Sequence, residues 1–258
     1  MSSVLPEAIG EAAFEGDLER IKAWLDGGSE SAPRSVNDLD EDGWSLLLWA
    51  SGGYGEILTE DHVRIARYLV SRGARLDVES RVSGSTPLHF ASGSAGASPE
   101  FVSVLVAAGA QVNAEDNDEV RPLGRIISDT VPNQMHHVEI VKILLRSGAT
   151  LDSAFGDDSF DDALRKCQPD DACEHFRAIE NIVASVRRHG SWKAHCRAAH
   201  KQILRIRSLV ARGRVKLSRP RRRPRGHDAR QQRALDFLVR QGDNGIVWNI
   251  LSYWRETG

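Results

Sequence analysis

The sequence predicts an all-α fold in which repeated helical hairpins stack into a solenoid. Three observations carry that expectation. A Gly-Ala pair recurs at Gly73-Ala74, Gly109-Ala110 and Gly148-Ala149, 36 and then 39 residues apart. Each pair follows a stretch whose apolar residues fall at helical spacing: Ile65–Val70, Phe101–Val106 and Ile140–Leu145. Upstream of the second pair stands a helix start, Thr86-Pro87, where threonine can cap and proline sits at the first helical position, where its missing N–H costs nothing. A period of this size describes units that bury their apolar faces only against their neighbours.

The units follow in order. Ala12–Gly28 reads as both helices of a first unit without the Thr-Pro start, as terminal units often lack it. In the second, Gly43-Trp-Ser-Leu-Leu-Leu-Trp-Ala50 replaces the Thr-Pro pattern, which predicts weaker capping and a more apolar body. The third is the best formed. The fourth keeps Pro122 and Leu123 but has no threonine at Arg121 and no histidine at Gly124. A fifth is read from Ala163-Leu164 and Ile179–Gly190. About five helix–turn–helix repeats are expected in residues 1–190, followed by a basic helical extension over 191–258.

Gly84-Ser-Thr-Pro-Leu-His-Phe-Ala91 together with Ala108-Gly-Ala-Gln-Val-Asn113 resembles an ankyrin repeat, and on these residues the chain is identified as a member of that family. The intervals between caps slightly exceed the ~33 residues of such a unit. The resemblance implies an interaction scaffold that grips another protein through its concave face and inter-repeat turns. His89 is read as a structural partner of Thr86. Against the first unit, the turn between the two helices is longer by seven residues in the second, two in the third and about six in the fourth. Those insertions are read as tolerated slack, because doubling a loop costs only ~0.6 kcal/mol, with a second contact surface as the alternative.

The inter-repeat turns are acidic: Val36–Asp42, Leu76–Arg81 and Val112–Glu119. If the resemblance holds, they form a negatively charged rim that favours basic partners and repels nucleic acid. The residues expected to contact a partner are Asp40, Asp42, Trp44, Glu79, Arg81, Glu115, Asp116, Asp118 and Glu119. Acidic turn residues that merely keep the surface soluble are the bland alternative.

A net charge of −2 conceals a division. Residues 187–258 hold 19 Lys/Arg against 4 Asp/Glu, while the other 186 hold 15 against 32. Trp192–Gly213 reads as a long basic helix, and the proline-broken run Arg219-Pro-Arg-Arg-Arg-Pro-Arg225 cannot be helix or central strand. That run, within a linker at 214–226, is read as a solvated spacer, as an import signal formed by Arg219, Arg221, Arg222, Arg223 and Arg225, or as a nucleic-acid contact. Nucleic acid is disfavoured because no aromatic residue interleaves the arginines. Ser191–His200 distantly resembles the elongin-binding box of SOCS-box proteins. It has Trp192 in place of leucine, His200 in place of an aliphatic residue, and no downstream Leu-Pro-x-Pro. Gly245–Trp254 is distantly similar to the opening helix of an F-box. The two boxes suggest a ubiquitin-ligase adaptor, recruiting ligase through residues 191–258, as the second reading, and the Arg219–Arg225 run suggests a DNA-linked nuclear regulator as the third.

No apolar run approaches the ~20 residues of a membrane helix, and the first residues lack the basic start and apolar core of a signal peptide. Three cysteines, Cys167, Cys173 and Cys196, are an odd number, which disfavours a disulfide framework and points to a reducing compartment. They form no Cys-x-x-Cys knuckle, and with the nearby histidines they match no common zinc spacing. No phosphate loop or nucleophile signature is found. The expectation is a monomeric binding protein of the cytoplasm, the nucleus or both, neither an enzyme nor a cofactor carrier.

Overall fold

The computed structural model describes residues 4–27, 34–52, 58–93, 97–128, 135–152, 159–166 and 174–198, with Lys201 and Leu204. It divides into two compact units, 1–184 and 185–258. Among the described residues it is helical, with no strand and one isolated bridge, Leu39 to Ser45.

Among the described residues there are ten helices: α1 (Glu7–Glu15) packs with α2 (Leu18–Asp26), α3 (Leu46–Ala50) with α4 (Glu60–Ser71), α5 (Pro87–Gly93) with α6 (Pro99–Ala107) and α7 (Pro122–Ser128) with α8 (Met135–Arg146), and α9 (Phe160–Lys166) and α10 (Glu174–His189) follow. The first members stack in one layer, α1 on α3 on α5 on α7 on α9, and α2, α4, α6 and α8 stack in a second. The core between the layers holds Ile21, Leu47, Ile65, Leu69, Leu88, Phe101, Leu105, Ile126 and Ile140, all essentially inaccessible.

The recurrent Gly-Ala pairs end the second-layer helices as the sequence implies. Gly73, Gly109 and Gly148 have φ of 82°, 96° and 96°. The N–H of each following alanine donates to the carbonyl five residues back, Ala74 to Leu69, Ala110 to Leu105 and Ala149 to Leu144, at 2.9–3.0 Å. The glycine N–H closes the inner turn, so two otherwise orphaned carbonyls are satisfied at each helix end.

Helix starts differ in one respect from expectation. Ser45 caps α3 directly, its Oγ accepting from Leu48 N–H at 3.2 Å, so the second unit is not poorly capped. In the third, Thr86 precedes Pro87 but its hydroxyl meets the His89 ring, Oγ1 to Nδ1 at 2.8 Å. Thr86 N–H also donates to Nδ1 at 3.0 Å, which leaves the Nε2 proton to donate to the Val120 carbonyl of the next unit at 3.0 Å. The same device appears, unforeseen, on α4. There Thr59 and His62 pair at 2.9 Å, and His62 Nε2 meets the Phe14 carbonyl of the first unit at 2.7 Å.

Asparagine amides make a third kind of tie. Asn37 donates to the Gly73 carbonyl and accepts from Arg75 N–H, and Asn113 does the same with Gly148 and Thr150. The lengthened turns at 53–57, 94–96 and 129–134 lie outside the described residues, as do Cys167, Cys173, the linker at 214–226 and the terminal segment.

Within the compact unit 185–258, Ser185 Oγ bonds His195 Nδ1 at 2.8 Å and its carbonyl accepts from His189 Nδ1 at 2.7 Å. The Trp192 ring lies 5.2 Å from that of His195. Burial, and then His189, holds the His195 imidazole below the ordinary histidine value.

Candidate functional site

The inter-repeat turns share one construction. Asp40 Oδ1 accepts from Trp44 N–H at 2.7 Å, and Asp116 Oδ1 accepts from Val120 N–H at 2.9 Å, four residues on in both cases. Each aspartate N–H returns the bond to that residue's carbonyl, Asp40 to Trp44 at 3.0 Å and Asp116 to Val120 at 3.1 Å. In the third unit Ser80 takes the place, donating to the Ser85 carbonyl at 3.0 Å. The second carboxylate oxygen reaches nine residues ahead: Asp40 Oδ2 takes the Trp49 indole N–H at 2.8 Å, and Asp116 Oδ2 takes the Arg125 guanidinium. Arg125 also donates to Ser85 Oγ at 3.2 Å, tying the third unit to the fourth.

This assigns the expected contact residues to different roles. Trp44 is not at the rim. It is 7% exposed, because its backbone bond to Asp40 turns the ring inward among Leu48, Val78, Trp49 and Phe90. Asp116 is also interior, its carboxylate fully covered and paired with Arg125, which is itself 17% exposed. A carboxylate removed from water in this way is tolerable only with such partners. Asp40 is half-buried and spent on the turn. Glu115 is exposed but held by Arg121. Arg81 is exposed, lies across Gly43 and donates to the Glu41 carbonyl of the preceding turn at 2.6 Å. Asp42, Glu79, Asp118 and Glu119 are exposed, as is Glu41, which the sequence reading passed over. The carboxylates of these five pair with no cation among the described residues.

Neighbouring tips are joined to each other. Asn117 N–H donates to the Ser83 carbonyl at 2.9 Å and its amide to the Val82 carbonyl at 3.3 Å. Val82, 88% exposed, is the most accessible large apolar side chain among the described residues. Each turn ends in a left-handed residue: Gly43 at φ 82°, Gly84 at φ 68° and, in the fourth unit, Glu119 at φ 58°.

A feature absent from the sequence reading lies on the first layer. Phe14 on α1, Trp49 on α3, Phe90 on α5 and Arg125 on α7 occupy one row, all half-buried. Phe14 meets Trp49 edge-on at 6.5 Å, and Trp44 bridges Trp49 to Phe90 with ring centroids 5.4 Å from each. The signal was present in the sequence as the third residue of Leu47-Leu-Trp-Ala50 and Leu88-His-Phe-Ala91.

Residues 9–116 match a family model described as ankyrin repeats, in three copies. That stretch of the chain is an ankyrin-repeat segment. A curated relative, the ankyrin repeat and KH domain-containing protein mask-1 of Caenorhabditis elegans, is 29% identical over 146 residues. That match covers 56% of this chain, and the chain spans about 5% of that protein's length. Beyond the matched ankyrin residues, the described residues hold the α7–α8 pair and two further helices, α9 and α10. Ankyrin repeats generally mediate protein–protein interaction, and the family is typically a non-enzymatic module. Among the described residues, no three His, Cys, Asp or Glu side chains are placed to hold a metal ion, and no helix is long and apolar enough to cross a membrane. The import arginines Arg219, Arg221, Arg222, Arg223 and Arg225 lie outside the described residues.

Proposed function

We propose that this ankyrin array binds a basic segment of another protein across its turn tips and the adjoining first-layer row. The observation that carries the reading is the set of exposed tip carboxylates, Glu41, Asp42, Glu79, Asp118 and Glu119, that pair with no cation among the described residues. Such a field steers a cationic partner and fixes its register, while the rings supply contact area. Glu119 strengthens it. A non-glycine residue in the left-handed region is strained by about 1–2 kcal/mol, and the two neighbouring turns use glycine there. Keeping a carboxylate at that cost is what a contact residue would require.

The test is calorimetric titration of the full chain with a lysine/arginine peptide and with an acidic peptide of equal length. Reversing charge at Asp42, Asp118 and Glu119 to lysine should weaken the basic peptide by about ten-fold or more. A Glu139→Lys control on α8 should leave it within about two-fold. Equal binding of both peptides, or equal effects of tip and control reversals, overturns the reading.

A further inference from the structure

Resting on that reading, we infer that the turn tips select their partner by the order of its charges. The occupant is a segment of another protein with an acidic residue between two basic clusters, and Arg81 is the residue that reads the acid. The second turn departs from its neighbours. Asp40 and Asp116 each close a turn on the residue four ahead, with Glu41-Asp42-Gly43 and Asn117-Asp118-Glu119 between. Ser80 closes on Ser85, five ahead, so its tip, Arg81-Val82-Ser83-Gly84, is one residue longer. Glu79 precedes Ser80 and stands outside that tip. Each outer tip therefore presents two exposed carboxylates, whereas the middle tip presents a guanidinium and the apolar Val82.

Hydrogen bonds set the three tips in series. Arg81 Nη1 donates to the Glu41 carbonyl at 2.6 Å and its side chain lies against Gly43, which holds the cation between the first tip and the second. Asn117 N–H donates to the Ser83 carbonyl at 2.9 Å, which sets the third tip on the second. The guanidinium is exposed and pairs with no carboxylate among the described residues. A uniformly basic segment would bring a cation against it, and like charges juxtaposed across an interface are disfavoured. An acidic residue there removes the repulsion and meets a planar fork that suits a carboxylate. The order basic, acidic, basic reads the same from either end, so it constrains the occupant without fixing its chain direction.

Two peptides of one composition test this, each titrated into the full chain at low salt. In one, an aspartate pair separates two lysine clusters through Gly/Ser linkers; in the other, the pair stands at the end. Their net charge is equal, so general attraction to the acidic tips cancels. The central arrangement should bind about three- to five-fold tighter. Arg81→Gln should bring the two peptides within about two-fold without lowering the thermal midpoint by more than a few degrees. Arg81→Lys, which keeps the charge, should retain most of the difference. A preference that survives Arg81→Gln, or that both variants lose alike, overturns Arg81 as its source. Equal affinities in the unaltered chain, both above an acidic control, overturn the charge order and leave the basic-segment reading standing. If neither exceeds the acidic control, both fall together.

Discussion

Gly10 and Trp49 are fitted to each other so closely that a Cβ on residue 10 would lie 2.7 Å from the indole Nε1 and 2.8 Å from Cε2. The ring has no easy retreat, because its N–H is bonded to Asp40 and its faces meet Phe14 and Trp44. Alanine in a helix interior is normally worth about 1 kcal/mol over glycine. Here the overlap should outweigh it, since overpacking costs about 1–3 kcal/mol. Gly10→Ala is therefore expected to destabilise the chain in a denaturant titration. In a Trp49→Leu background the same change should turn neutral or stabilising. A stabilising Gly10→Ala in the unaltered protein would show that the ring is free to move.

The solenoid was legible because its signals are local. A Gly-Ala cap demands a left-handed residue at one position and an N–H at the next, and no other part of the chain need be known to read it. The site was less legible because its decisive contacts cross repeats. Trp44 and Asp116 look like rim residues within their acidic turns. Whether they face outward depends on Val78 and Phe90 in one case and on Arg125 in the other, none of them within the same turn. The aromatic row escaped notice for a related reason. Phe14, Trp49 and Phe90 are ordinary core-helix residues singly, and only stacking of α1, α3 and α5 makes them a surface. The Thr59–His62 pair carries no Thr-Pro-Leu-His signature, and its meaning lies in the Phe14 carbonyl, 48 residues away.

Acid should weaken the junction between the third and fourth units. Burial holds the His89 imidazole below the ordinary histidine value; Asp116 and the Val120 carbonyl oppose this, and Arg125 adds to it. Its Nδ1 must accept from Thr86 N–H, so the protonated ring cannot keep that bond. The unfolded chain takes up the proton first, at about pH 6.5. The contribution of His89 is then whole above that pH and is lost as pH falls from there through the lowered folded value. Urea midpoints measured between pH 7.5 and 5 (roughly the histidine range) should decline on the acid side. His89→Gln should start lower and flatten that slope. An unchanged slope in the variant would assign the acid sensitivity to other groups.

Glu119 separates stability from binding. Its turn-mates Gly43 and Gly84 adopt the same left-handed conformation without a Cβ, whereas Glu119 holds φ 58° against steric resistance. Glycine there removes strain of about 1–2 kcal/mol but adds about 0.5–1 kcal/mol of chain entropy to the unfolded state. The net change for Glu119→Gly is a gain of about 0–1.5 kcal/mol, seen as a higher denaturant midpoint. Affinity for a basic segment should fall in the same variant, because an exposed carboxylate with no described counter-ion has been removed. The Asp118→Ala variant serves as comparison: it should lose affinity similarly while leaving the midpoint within about 0.5 kcal/mol. Only a residue kept for contact at the expense of its own turn produces opposite signs in the two measurements. A Glu119→Gly variant that gains stability and binds as tightly as before would remove Glu119 from the contact surface.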